Sequence, residues 1–371
     1  MAGRIQDVSE SGRFGSGQNR RVSGRFVSQF REVKEVRMTG VSWRTKMRRG
    51  AAAVVLALAI GISAMPALAQ ETDFSQLSGE IVSDGSSTVG PLTQAAAEEF
   101  AVLAPQVQTS VDISGTGGGF KRFCAGETDV QNASRAIKDE EAKTCADNNV
   151  DWYEFEIAYD GITVVVNKEN TWASCLTTDQ LKQLWKKDAP ATTWAELNSD
   201  WPGDSVALYG PGTDSGTFDF FVEKILGEDD IREDFTPSED DNVLVEGVAG
   251  DVNALGYFGL AYYEANQDSL NAVAIDNGDG NCVAPTADTV RDGSYAPLSR
   301  PLYVYIKADS LKRPEVQEFM RFYVDNAAAL APEVGYVASP DETYAADKQR
   351  LEEDIAGTGT PDSAKMATPE A

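Results

Sequence analysis

Tyr209-Gly210-Pro211-Gly212-Thr213-Asp214-Ser215-Gly216-Thr217-Phe218-Asp219-Phe220-Phe221 is a glycine-rich loop running into a helix. Before it, Val206 and Leu208 alternate as in a short strand. After it, Phe218, Phe221, Val222 and Ile225 fall at i, i+3, i+4 and i+7, the spacing of an amphipathic helix. The first N–H groups of such a helix lack intrahelical acceptors, and the positive end of its macrodipole faces the loop. Ser215 and Thr217 add hydroxyls, and Gly216 allows close approach to the backbone, so the stretch reads as an anion site.

The same strand–loop–helix unit recurs upstream. Ile81 and Val82 lead through Asp84-Gly85-Ser86-Ser87-Thr88-Val89-Gly90-Pro91 into a helix with Leu92, Ala96, Phe100 and Leu103 inward. Pro91 suits its first turn, and Ser87 or Thr88 its cap. Val111 and Ile113 lead through Ser114-Gly115-Thr116-Gly117-Gly118-Gly119 into a short helix with Phe120, Phe123 and Cys124. A strand over 129–133 delivers Ser134-Arg135 to a loop before an acidic helix over 139–146. Four such loops predict an open α/β sheet with ligands at the ends of its strands. Further on, a capping box, Thr177-x-x-Gln180, opens a helix burying Leu181, Leu184 and Trp185. The stretch 228–241 is a strongly acidic connection; 242–250 reads as a helix, 253–260 and 302–306 as strands, and 314–327 as a helix. The Pro-, Thr- and Ala-rich tail, 346–371, is expected to be disordered.

Lys46, Arg48 and Arg49 precede an apolar run, Ala51 to Ile62, that ends in Ala67-Leu68-Ala69, the pattern of a cleaved secretory signal. Residues 1–45 are basic and patternless, and Met38 or Met47 would be a more ordinary start. The whole chain carries −27; without residues 1–69, which hold 12 Lys or Arg and 4 Asp or Glu, the charge falls to −35. Such a surface argues against nucleic-acid partners, while screening over about 8 Å leaves a local nest of N–H groups free to bind an anion. All four cysteines lie in the exported part, and two disulfides are expected, Cys124–Cys145 closing a local loop and Cys175–Cys282 staying within one domain. The absence of histidine removes Ser-His-Asp and Cys-His catalysis, and no metal or cofactor site is expected.

Singly, each glycine loop is ordinary turn chemistry; together they form a constellation. No Gly-Lys-Ser/Thr follows the 114–119 loop and no ribose-binding acid is evident, which disfavours nucleotides. Arg135, alone, would read as a surface ion pair; beside these loops it reads as a clamp on an oxyanion. Asp214 either caps the helix or accepts a proton of the ligand, which would favour hydrogen phosphate over sulfate.

In order and combination, Asp84-Gly-Ser-Ser-Thr-Val, Ser114-Gly-Thr-Gly-Gly-Gly-Phe, Asn132-Ala-Ser-Arg, Thr213-Asp-Ser-Gly-Thr-Phe and Asn253-Ala-Leu-Gly-Tyr resemble the phosphate-binding proteins of bacterial ABC-type phosphate importers, over roughly residues 78–340. The resemblance implies a two-lobed α/β periplasmic-binding fold (type II-like) with phosphate in the cleft, closure on binding, and delivery to a membrane permease. Carried over by motif, the ligands are Ser87, Thr88, the N–H of Val89, Ser114, Ser215, Gly216 and Thr217. The best-known branch has Ser-Asp where this chain has Ser134-Arg135, and an arginine where it has Pro211. The expectation is therefore a charged pair that has changed sides, Arg135 from the first lobe and Asp214 from the second.

The expected domains are 1–69 (extension and signal, removed), 70–162 with 300–345 as lobe 1, and 163–299 as lobe 2. Extended crossovers are expected near 160–166 and 298–304. The expected protein is periplasmic, monomeric and not an enzyme. Its rivals are a binder of another oxyanion such as sulfate or molybdate, a secreted phosphatase on the same scaffold, and a phosphate sensor or adhesion protein without a permease.

Overall fold

The computed structural model describes residues 73–188, 190–227 and 229–366; the signal sequence and the basic extension expected from the sequence lie outside them. One long strand runs through both halves of the molecule and organises the rest. In chain order the first half holds β1 (Ser78–Gly85), α1 (Gly90–Leu103), β2 (Gln106–Val111), α2 (Thr116–Cys124), β3 (Val130–Ala133), α3 (Asp139–Asp147) and the long β4 (Trp152–Asn167).

The chain then builds a second set of elements: β5 (Cys175–Thr177), α4 (Thr178–Trp185), α5 (Trp194–Leu197), β6 (Ala207–Gly210), α6 (Gly216–Phe221), β7 (Thr236–Pro237) and α7 (Asp241–Gly250). It continues through β8 (Ala254–Gly259), α8 (Leu260–Ala265), β9 (Leu270–Ala272), β10 (Ala274–Asp276), β11 (Cys282–Val283) and α9 (Ala287–Arg291). β12 (Ser299–Lys307) returns the chain to the first set, where α10 (Pro314–Glu333), α11 (Asp341–Ile355) and α12 (Asp362–Met366) complete it.

One continuous sheet has the order β2-β1-β3-β12-β4-β8-β6-β7, with β9 also on β4, and β11-β10-β5 form a small second sheet. The first part of β4, to Gly161, pairs antiparallel with β12; from Ile162 onward β4 pairs with β8. One strand thus serves two lobes by changing partner.

Each lobe buries its own core. Ile81, Leu92, Phe100, Phe155, Val304, Phe319, Met320 and Tyr323 belong to the first, and Val164, Leu181, Trp185, Trp194, Phe221, Leu255 and Tyr257 to the second. The Thr177 cap forms as its spacing predicts: Gln180 N–H donates to Thr177 Oγ1 at 3.1 Å, and Thr177 N–H to Gln180 Oε1 at 2.9 Å. Disulfides join Cys124 to Cys145 and Cys175 to Cys282, the pairing expected from the sequence. Among the described residues no helix is long and apolar enough to cross a membrane.

Three local expectations are corrected. After α6 the chain widens into a π-helical segment, Val222–Leu226. The buried face is therefore Phe220, Phe221, Ile225 and Leu226, five residues apart, and Phe218 is left half-exposed. At the end of α1, Leu103 is exposed rather than inward, because Phe100 already closes that face against Phe319. The stretch from 346 is not disordered as far as residue 366. It lies in α11 and α12, fixed by burial of Leu351 and by Arg321, whose Nε and Nη2 donate to Glu352 at 2.6 and 2.8 Å; residues 367–371 lie outside the description.

Candidate functional site

The loops after β1 and β6 come from different lobes and meet. A β-carbon built on Gly216 would lie 2.7 Å from both Cα and Oγ1 of Thr88. Only a residue without a side chain lets the N-terminal end of α6 come this near the loop before α1. Across the same junction Ser87 Oγ donates to Asp219 Oδ2 at 3.2 Å.

Beside the junction lies a cavity of about 650 Å³ lined from the first lobe by Ser86, Ser87, Thr88, Thr116, Ser134 and Arg135, from the second by Asp219, Phe220, Glu223 and Lys224, and from β12 by Ser299, Arg300 and Tyr303. Local chemistry positions its hydroxyls. Ser86, rather than Ser87 or Thr88, steadies the start of α1, its Oγ accepting from the N–H groups of Thr88 and Val89 at 3.2 and 3.4 Å. That leaves Ser87 facing the cavity. The Thr88 carbonyl is held by the Tyr336 hydroxyl at 2.6 Å. Thr116 and Ser134 share a hydroxyl hydrogen bond of 3.1 Å, which ties the α2 loop to the β3 loop. In the second lobe Ser215 caps α6, its Oγ accepting from Thr217 N–H at 3.2 Å.

Of the residues expected from the sequence, Ser87, Thr88, Ser134 and Arg135 line one cavity, and Ser215, Gly216 and Thr217 open the helix that abuts it. Three others stand differently. The N–H of Val89 faces Ser86. Ser114 turns to the buried Asp84, which accepts from its N–H at 3.0 Å and its Oγ at 2.8 Å while pairing with Arg122 at 2.7 Å. Asp84 is thus the brace of the 114–119 loop. Asp214 is exposed, with its N–H 3.4 Å from Glu239 Oε1.

No hydrogen bond or ion pair joins Arg135 to Asp214 among the described residues, so the pair expected from the sequence is replaced by two separate contacts. Arg135 is engaged within its own lobe by both oxygens of Glu141, each at 2.8 Å. A fork with a carboxylate six residues away costs less order than one reaching across a cleft. Burial pushes Glu141 upward, but the Arg135 hydrogen bonds, the Lys138 N–H and the charges of Arg135 and Lys138 together hold that carboxyl below its usual range.

Two residues of the cleft escape the sequence reading. Asp219 follows Ser215 by one helical turn and supplies the carboxylate that Asp214 does not. Arg300 lies within the predicted crossover stretch at 298–304, in Ser299-Arg300-Pro301, and only the pairing of β12 with β4 reveals what it reaches. Its Nε and Nη2 donate to Asp160 Oδ2 at 3.2 and 3.1 Å, and Nη2 also to Thr88 Oγ1 at 2.8 Å. Its guanidinium carbon stands 3.6 Å over the Phe220 ring. An arginine in a chain this acidic was the available signal. The site can hold a small oxyanion by hydroxyls, helix-terminal amides and guanidinium groups. Among the described residues there is no cluster of His, Cys, Asp or Glu that could hold a metal.

Residues 71–327 match the family described as the PBP superfamily domain. The chain is 44% identical over 280 residues to Protein SphX of Synechococcus elongatus, covering 75% of this chain and 83% of the relative. It is 42% identical over 269 residues to the phosphate-binding protein PstS of Staphylococcus haemolyticus, covering 72% and 84%. The crystal structure of "a possible phosphate binding protein from Planctomyces limnophilus" superposes with a TM-score of 0.72 at 45% identity, covering 75% of this chain and 99% of that one. The chain belongs to the PBP superfamily, in the same family as SphX of Synechococcus elongatus and PstS of Staphylococcus haemolyticus.

Proposed function

We propose that this chain is an extracytoplasmic solute-binding protein that captures inorganic phosphate between its lobes and delivers it to an ABC-type permease. The observation that carries the reading is the meeting of two helix starts from different lobes, at Thr88 and Gly216, beside one hydroxyl-rich cavity that also takes Arg135. Ser87, Thr88, Ser134 and Arg135 bind from the first lobe, and Ser215, Gly216 and Thr217 from the second; Ser114, Val89 and Asp214 act as supports of these loops. The lobes are 70–162 with 300–366, and 163–299, and they close as rigid bodies on the ligand.

The relatives' names support the ligand class: PstS of Staphylococcus haemolyticus is a phosphate-binding protein. The cleft carboxylate, Asp219, supports phosphate over sulfate, because an acceptor can be satisfied by an anion that carries a proton and not by one that lacks it. The signal sequence and two disulfides support export to the periplasm, where the protein acts as a monomer and performs no reaction. Calorimetric titration of the anion-stripped chain with phosphate and then sulfate tests the reading. Phosphate binding with sulfate silent is the expected result; sulfate binding, or neither, overturns it.

A further inference from the structure

Three cations line the cleft, and they are not equally free to meet a ligand. Arg135 has its Nη1 and Nη2 on Glu141 and on the Ala136 carbonyl. Lys224 is exposed and pairs with Glu223 at 2.7 Å. Arg300 spends Nε and Nη2 on Asp160 and Thr88, while its Nη1 has no protein acceptor among the described residues. Its side chain is only 12% exposed and lines the cavity.

We propose that Arg300 is a second cation that receives the oxyanion in this cleft, beside Arg135, and that through it binding of the anion and the meeting of the lobes become one event. The inference rests on the phosphate reading above. Arg300 faces Asp160 directly in the ladder between β12 and β4. Asp160 is 1% exposed, and among the described residues its Oδ1 has no partner and Arg300 is its only compensating cation, which cannot leave without stranding a buried acid. Burial pushes the Asp160 carboxyl upward and Arg300 opposes that push. The guanidinium is therefore fixed before any ligand arrives, with a donor edge left over.

Its other two contacts belong to opposite lobes. Thr88 precedes α1, and Phe220 lies on α6. Separation of the lobes must break the hydrogen bond or the stack, whereas an anion at Nη1 gains from the guanidinium only while both contacts hold it in place. Lysine cannot reproduce this arrangement, since an ammonium lacks the planar fork and the stacking face.

The test combines phosphate calorimetry with small-angle scattering on the exported chain and three variants. Arg300→Lys should lose phosphate affinity on the order of a hundredfold. Phe220→Leu should lose roughly tenfold and contract less on phosphate addition. Because Arg300→Lys could leave Asp160 poorly paired, the double variant Asp160→Asn/Arg300→Gln, an amide pair in place of the ion pair, provides a folded control. It should melt close to wild type without phosphate, yet neither bind nor contract. Either Arg300 variant binding phosphate within threefold of wild type, with normal contraction, overturns the inference alone. A wild-type chain that ignores phosphate overturns the functional reading and the inference together.

Discussion

Gly216 and Thr88 touch backbone to backbone across the two lobes, with no room for a β-carbon between them: it would stand 2.7 Å from Thr88 Cα and 2.8 Å from its nitrogen. The obstacle is main chain, which cannot rotate aside. Gly216→Ala should therefore hold the lobes apart and weaken phosphate binding at least tenfold, as expected when a close approach of about an ångström is lost at a binding centre. Its ligand-free melting should change by less than about 1 kcal/mol, because the clash lies between lobes and not within a core. Calorimetry beside differential scanning of the apo chain checks both halves; an unchanged affinity would mean that this contact is no part of the bound form.

Asp214 and Asp219 separate by experiment. Asp219 accepts from Ser87 at the cleft, while Asp214 is exposed beside Glu239. Asp219→Asn adds a donor where an unprotonated oxyanion would want one, so sulfate binding should rise relative to phosphate by roughly tenfold, the scale of one hydrogen bond to a charged group. Asp214→Asn should leave the ratio within about twofold, as surface changes do. Competition of sulfate against phosphate in both variants decides which aspartate reads the proton.

The two disulfides close loops of very different size, separated by 21 and 107 residues along the chain. If the bridges act mainly on the unfolded chain, removal of Cys175–Cys282 by paired alanines should cost about 4–5 kcal/mol, and removal of Cys124–Cys145 about 3 kcal/mol. Neither bridge lines the cleft, so phosphate affinity in the folded variants should stay within twofold of wild type. Urea unfolding gives the order; equal losses would argue that native contacts, not loop size, set the effect.

The strand–loop–helix units were legible because each is local: the hydrophobic period changes from two to about three and a half across a few glycines and hydroxyl residues. Thr177-x-x-Gln180 formed as read because its partners lie within one turn. The role of Arg300 was not legible, since its partners Asp160 and Thr88 are 140 and 212 residues away and meet it only through sheet pairing. Arg135 shows the converse. A nearer carboxylate, Glu141, was already available in the acidic helix that follows it, and competition with that neighbour outweighed the longer reach to Asp214. Helix α11 escaped because its surface is mostly charged and only a thin stripe, including Tyr344 and Leu351, is buried.

That same helix carries a group that titrates near neutrality. Burial raises the Asp347 carboxyl to about 7; Arg350 opposes the shift, while Glu156, Asp362 and Glu154 reinforce it. A carboxyl whose folded pKa lies above its unfolded value makes the folded chain bind more protons. Stability from this group is fully present below the unfolded value of 3.8, declines as pH rises, and is lost once pH passes about 7. Asp347→Asn keeps an acceptor for Arg350, which donates to Asp347 Oδ1 at 3.0 Å, but removes the charge. Its stability relative to wild type should therefore climb between pH 4 and pH 7 and level off above, by on the order of 1 kcal/mol or more. Denaturant unfolding at pH 4, 6 and 8 measures that slope; a difference that is flat with pH would place the titration elsewhere in the acidic cluster around Arg350.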